Sequence, residues 1–157
     1  YILIGVVGDA FNSDNPPQAV KLTANEQYSY MSMWALMASP LFFGGDMGRL
    51  DEFTLNVLCN AEVIDVNQDL AGKQARVVRK TAEEFVLAKP LEDGSVAVGL
   101  FNLTKAPRDI ACPLKDLGAA DRVRMRDLWR QKDSGEAANS LRVNVGAHGV
   151  AMLRLMR

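Results

Sequence analysis

The stretch that most constrains this chain is Thr23 to Asp46, TANEQYSYMSMWALMASPLFFGGD. Thr23 and Glu26 stand three apart, the spacing of a capping box. There the threonine hydroxyl accepts from the third backbone N–H, and the glutamate reaches back to the cap. Tyr28, Met31, Met33, Trp34, Met37 and Ala38 then recur at mixed three- and four-residue steps, on more than one face. A helix of that kind is mostly buried. Pro40 ends it, because proline has no N–H to give and pushes the residue before it out of helical space. Leu41, Phe42 and Phe43 read as a short buried strand closed by Gly44 and Gly45, with Asp46 just past its C-terminal end. Helix, tight turn, buried strand and acid is the order of a parallel α/β unit.

The segments on either side are read by the same means. Tyr1 to Val7 reads as the end of a strand. Tyr1 opens straight into it, with no methionine, basic stretch or polar lead-in, so the natural start is expected upstream. Gly8 to Lys21 is rich in Gly, Asn, Asp and Pro and is expected to be a long functional loop, with disorder as the competing reading. After Asp46, Asp51 is the N-cap of a second helix carrying Phe53, Val57 and Leu58, and Asn60 its left-handed stop. Glu62 to Val66 forms a further turn, and the α/β part closes at Gly72.

From Lys73 the texture changes to short, β-branched, partly alternating runs: ARVV, EFVLAKPL, SVAVGLFN, RDIACPL, RVRMRDLW, SLRVNV and GVAMLRLM. Turn-forming groups separate them, including Glu92-Asp93-Gly94, Asp133-Ser134-Gly135 and the Gly146–Gly149 loop. Asp93-Gly94 between two alternating runs is a hairpin signal. Strands of this length and spacing predict an antiparallel sandwich over 73–157, with Leu87, Val96, Val98, Leu100, Leu128, Val143, Val150 and Leu153 in its core. The predicted fold is thus α/β plus all-β, with 1–72 in the first part.

Composition excludes several classes. A net charge of −1 gives no reason to expect nucleic acid or an anionic membrane surface as partner. No apolar run approaches the roughly 20 residues needed to cross a bilayer. Cys59 and Cys112 lie far apart, without metal-ligand spacing; two buried thiols and a disulfide both fit. No metal site or cofactor is expected.

Two long stretches, LTANEQYSYMSMWALMASPLFFGGDM and LDEFTLNVLCNAEVIDVNQDLAGKQA, resemble the last part of the catalytic barrel of the melibiases, the α-galactosidase family of glycoside hydrolases numbered twenty-seven. LAKPLEDGSVAVGLFN, VRMRDLWRQKD and AHGVAMLRL resemble that family's C-terminal β-domain. One departure is Leu70, where many relatives have proline after the NQD acid. The resemblance implies the last segment of a (β/α)8 barrel at 1–72, followed by an antiparallel β-sandwich at 73–157. It also implies a retaining mechanism on α-galactosides, in which two carboxyl groups about 5–5.5 Å apart act as nucleophile and acid/base. Both catalytic aspartates of the family lie upstream of residue 1, so the chain is expected to be inactive alone, with no catalytic residue of its own.

The resemblance places Tyr1 just after a family Trp-Asn-Asp-Pro-Asp segment and implies that it touches the sugar pocket. Asp46, at the end of a barrel strand, is where such barrels place functional residues; a loop anchor is the alternative. Asp65 and Asp69 read as solvent or loop-anchoring groups, and His148 as a turn residue. Asn102-Leu103-Thr104 matches a glycosylation sequon by pattern. Trp129 reads as a sugar-stacking platform or as a core or interdomain aromatic. A binding or stabilising role for the β-domain is the alternative to the enzyme reading. Self-association through the exposed barrel segment, centred on the Thr23–Phe43 helix and strand, is also expected unless the helix folds onto the β-domain.

Overall fold

A computed structural model describes residues 1–8 and 12–157. The expected loop over Gly8–Lys21 therefore falls partly outside the described residues. Within the described part, Gln18–Ala19 (β2) pairs antiparallel with Val6–Val7 (β1), so this segment holds a strand where only loop was expected.

The capping box forms as the Thr23/Glu26 spacing predicts. Thr23 Oγ1 accepts from the Glu26 N–H at 3.3 Å, and the Glu26 carboxylate accepts from the Thr23 N–H at 2.7 Å. The helix it starts, α1, runs Ala24–Leu36. After it, Ile2 donates to the Phe42 carbonyl at 2.6 Å and receives Gly44 at 2.9 Å, a parallel bridge between two short extended segments. The expected buried strand at Leu41–Phe43 is thus reduced to one bridge residue, and Phe42 is 64% exposed. The Tyr1–Ile4 segment pairs with one edge of it, and Leu41 and Phe43 pack against the core.

Helices α2 (Glu52–Leu58) and α3 (Ala61–Asn67) follow. Asp51 caps α2 by accepting from Thr54 at 2.7 Å. Asn60 is not a left-handed stop. At φ −68° and ψ 106° it is the N-cap of α3, its side chain accepting from Val63. Asn favours both kinds of cap, and the next residues, AEVIDVN, extend a full helix where a single turn was expected.

The remainder is one continuous eight-stranded antiparallel ladder folded into two layers. Its strands are β3 (Arg76–Lys80), β4 (Glu84–Pro90), β5 (Val96–Asn102), β6 (Arg108–Pro113), β7 (Arg122–Asp127), β8 (Lys132–Ala138), β9 (Ser140–Val145) and β10 (Val150–Met156), with a short helix α4 (Leu114–Leu117) after β6. They run in the order β3-β4-β5-β10-β7-β8-β9-β6. The β8–β9 step is a single pair, Ala138 with Ser140, and there the ladder folds over so that β9 and β6 cover the first layer. Asp133-Ser134-Gly135, expected to separate strands, lies inside β8 instead. The reversal sits earlier, where the Asp127 carboxylate accepts from the Arg130 N–H at 3.0 Å and Gln131 takes φ 51°.

Strand alternation sorts the first layer into two faces. Val86, Ala88, Val98, Leu100, Leu153 and Leu155 meet Ile110, Cys112, Leu141 and Val145 inside the sandwich. Leu87, Ala97, Phe101 and Met152 point the other way, onto Met31, Ala35 and Leu36 of α1 and Val63 and Val66 of α3. Strand β5 is therefore buried along its whole length. Of the expected sandwich core, Val96, Val98, Leu100 and Leu153 lie inside it and half-buried Val143 packs against it, whereas Leu87, Leu128 and half-buried Val150 face the helices instead. Helix α1 lies on the sheet, the arrangement named as the alternative to its exposure, and Trp34 is half-buried. Cys112 is buried, Cys59 exposed, and both are free thiols.

Candidate functional site

Two neighbouring segments carry the residues expected near a ligand. Tyr1 is 77% exposed, its ring centroid 6.4 Å from that of Phe42. Its carbonyl accepts from the Tyr30 hydroxyl at 3.0 Å, which ties the segment to α1. The close passage of Gly44 against Tyr1 allows this approach; a Cβ there would stand 3.0 Å from the Tyr1 Cβ and 2.9 Å from Leu3 Cδ2. Asp46 lies at the end of the second segment, its N–H donating to the Val6 carbonyl at 2.7 Å. Its Oδ1 accepts from Gly48 N at 2.8 Å, capping the 3₁₀ turn Met47–Arg49, and its Oδ2 is 3.5 Å from Arg49 Nε.

The other acids named from sequence have local partners or lie in solvent. Asp69 accepts from the N–H groups of Glu92 and Ala71 at 3.1 Å, and Asp65 is exposed. The Thr54 hydroxyl and N–H hold the Asp51 carboxyl below its usual range. His148 sits in its turn at φ 51°, its N–H donating to the Thr104 carbonyl. Among the described residues, no three His, Cys, Asp or Glu side chains converge as a metal site.

The Asn102 sequon is built into the fold. Asn102 is buried, and its Nδ2 donates to the carbonyls of Ala106, Val145 and Gly146 at 2.8–3.0 Å. A glycan on that nitrogen is incompatible with this arrangement.

A second polar constellation lies where the helices meet the sheet, and sequence reasoning found only Trp129 of it. Trp129 Nε1 donates to the buried Ser32 hydroxyl at 2.8 Å, and the ring meets Tyr28 edge to face at 4.7 Å. Asn60 donates to the Leu128 carbonyl at 2.9 Å. Arg126 grips the Glu62 carboxylate through two nitrogens at 2.6–3.0 Å, which with Asp133 holds its guanidinium above the ordinary value. Lys89, fully buried, donates through Nζ to the carbonyls of Val66 and Asn67 at the end of α3. Burial pushes its ammonium below the usual lysine value, with Asp69 acting against that. A lysine on the same face as Leu87 in the alternating run LAKPL, the face that turns out to meet the helices, was the available signal for this seam.

A parallel α/β edge clamped by its helices onto an antiparallel sandwich defines the class: barrel enzymes that carry a C-terminal β-domain. The chain matches a GH27 β-L-arabinopyranosidase from Geobacillus stearothermophilus, solved with arabinose, at TM-score 0.89 and 29% identity over 99% of this chain and 36% of that one. It matches α-galactosidase I from Mortierella vinacea at TM-score 0.82 and 26% identity, over 86% and 36% of the two chains. In sequence it is 36% identical to α-galactosidase 2 of Arabidopsis thaliana, over 87% of this chain and 35% of that protein. It is 34% identical to the α-galactosidase of Cyamopsis tetragonoloba, over 83% and 32%. The chain thus spans about a third of the length of these relatives. Residues 18–69 match the family model described as alpha galactosidase A, and residues 84–155 the one described as alpha galactosidase C-terminal beta sandwich domain. The chain belongs to the melibiase family, glycoside hydrolase family 27, and covers the end of its barrel and its C-terminal β-domain.

Proposed function

We propose that this chain supplies the last barrel segment (1–72) and the C-terminal β-domain (73–157) of a retaining α-galactosidase-like hydrolase, and that alone it hydrolyses nothing. The observation that carries the reading is the match along nearly all of the chain to one third of a family 27 enzyme. Retaining hydrolysis needs a nucleophile and an acid/base about 5–5.5 Å apart. Asp46, the carboxylate at the strand ends, is engaged by Gly48 and Arg49. In this reading Tyr1 lines the sugar pocket, Asp46 shapes the loop beside it, and the substrate is a terminal α-galactoside.

The chain's own contribution is a frame. The seam of Trp129, Asn60, Arg126 and Lys89 fixes the β-domain to helices that also carry the strand ends. A further part of the reading is self-association, through the exposed Tyr1 and Phe42 edge and not through α1.

The test is a chimera in which this chain replaces the matching third of the Cyamopsis tetragonoloba enzyme. The chimera is expected to release p-nitrophenol from p-nitrophenyl α-galactoside, while the 157-residue chain alone does not. A folded chimera without turnover overturns the hydrolase reading. Turnover by the chain alone, altered by a mutation within it, overturns its inactivity.

A further inference from the structure

We propose that the cleft where α1, β7, β9 and β10 converge is a binding site for a single pyranose sugar. Val143 and Val150 mark the place. Both belong to strands of the sandwich, and Val143 packs against its inner core, yet neither is fully buried. The reason is a cleft of about 510 Å³ that opens between β9 and β10, where the strand ladder continues only through the single Ala138–Ser140 pair. A volume of that size falls within the roughly 300–1,000 Å³ of small-ligand sites, and the lining is at least as polar as it is apolar, which suits a polar ligand.

The lining has three parts. Val143, Val150 and Ala151 make an apolar floor. Tyr28 and Trp129 make an aromatic wall, held in place by the Trp129–Ser32 hydrogen bond and the edge-to-face contact between the rings. Asp127 and Arg130 supply charge at the lip. The Asp127 carboxylate is 19% exposed and already oriented, accepting from the Arg130 N–H at 3.0 Å and from its guanidinium at 3.2 Å. Asn25, at the start of α1, is fixed in the same cleft. Its amide donates to the Ala147 carbonyl at 3.0 Å, and it packs so close to Gly146 that a Cβ there would stand 3.0 Å from its nitrogen.

This combination selects a ligand. A pyranose has one face of C–H groups, which suits an aromatic wall and apolar floor. It also has a rim of hydroxyls that donate and accept at once, which suits a carboxylate, a guanidinium and an amide side by side. A purely apolar ligand would take water from the Asp127 carboxylate and give it no further hydrogen bond in return. An anion such as phosphate would face the Asp127 carboxylate, and the two arginines of the lining, Arg130 and Arg142, are already paired with Asp127 and Asp109. The site includes neither Tyr1 nor Asp46, so it is tested by binding, whereas the hydrolase reading is tested by turnover.

The chain has two tryptophans, and Trp34 is not part of this cleft. In a Trp34→Phe chain the emission reports Trp129 alone. Titration with D-galactose is expected to give a saturable change with Kd on the order of 1 mM, the range that ligand efficiency allows about a dozen heavy atoms. Mannitol, an acyclic polyol without a ring face, is expected to give none. Arg130→Ala, whose side chain is 81% exposed, and Asp127→Asn should each weaken binding at least tenfold, that is by about 1.4 kcal/mol, with circular dichroism unchanged. No saturable response, an equal response to mannitol, or unchanged affinity in both variants overturns the site.

Discussion

Asn102 illustrates how much a single side chain does once its partners are known. It closes the loop after β5 through its own Thr104, whose N–H and hydroxyl it accepts at 2.9 and 2.7 Å, and it ties that loop to the end of β9. Asn102→Ala strands a buried Val145 carbonyl, and an unsatisfied buried group costs about 1–3 kcal/mol. With the other bonds lost as well, urea unfolding should show a loss of at least roughly 2 kcal/mol. Lys89 makes a pH-dependent prediction. Its folded value is depressed, so between that value and the unfolded one, about 10.4, the unfolded chain binds more protons and stability rises with pH. Lys89→Met should flatten this alkaline rise, seen as urea midpoints over the alkaline range approaching about 10.4; an unchanged slope would contradict the assignment. The local roles of Thr23, Glu26 and Asp51 were legible in sequence, because a cap acts three residues away. Trp129 was legible as a core or interdomain aromatic, but the seam roles of Asn60 and Lys89 were not, because their partners lie on elements distant in the chain.

At the scale of elements, the decisive contact is α1 on the outer face of β4, β5 and β10. Gly99, in the middle of β5, permits it. A Cβ at that position would stand 2.5 Å from Leu36 Cδ1 and 2.7 Å from the Phe101 ring. Neither atom can withdraw, since Leu36 and Phe101 are themselves buried between helix and sheet. Gly99→Ala should therefore cost about 1–3 kcal/mol, the usual penalty for overpacking. Thermal unfolding checks it, and a loss within a few tenths of a kcal/mol would mean that α1 sits more loosely than described. Most strands were legible from period-2 patterning, as was the β4–β5 hairpin at Asp93-Gly94. The Leu41–Phe43 strand was overread because an apolar run cannot tell how many neighbours it has. The β7–β8 turn was misplaced because Asp133-Ser134-Gly135 has turn chemistry, yet it lies in an exposed strand where polar residues cost nothing.

The whole molecule follows from the two apolar faces of one sheet: β6 and β9 close the inner face, and α1 and α3 close the outer. That both faces are covered was not legible in the strand pattern alone; β5 reads as a continuous apolar run whichever neighbours it has. Among the described residues, one exposed apolar surface lies at the strand edge. Tyr1, Leu3, Phe42 and Met47 are 77%, 45%, 64% and 71% exposed, all on the strand edge or the turn that follows it. Soluble monomers rarely leave contiguous apolar patches larger than a few hundred Å² open to water. Covering side chains of this size is worth roughly 1.5–3 kcal/mol each when complete. At micromolar concentration the 157-residue chain should therefore sediment as more than a monomer. Phe42→Asp should return it to monomer, since a carboxylate cannot be buried there without a partner. Leu22→Asp, on the partly exposed residue before the α1 cap, should leave the association unchanged. A clean monomer in the unaltered chain, or an association that survives Phe42→Asp, would show that this edge is not the contact.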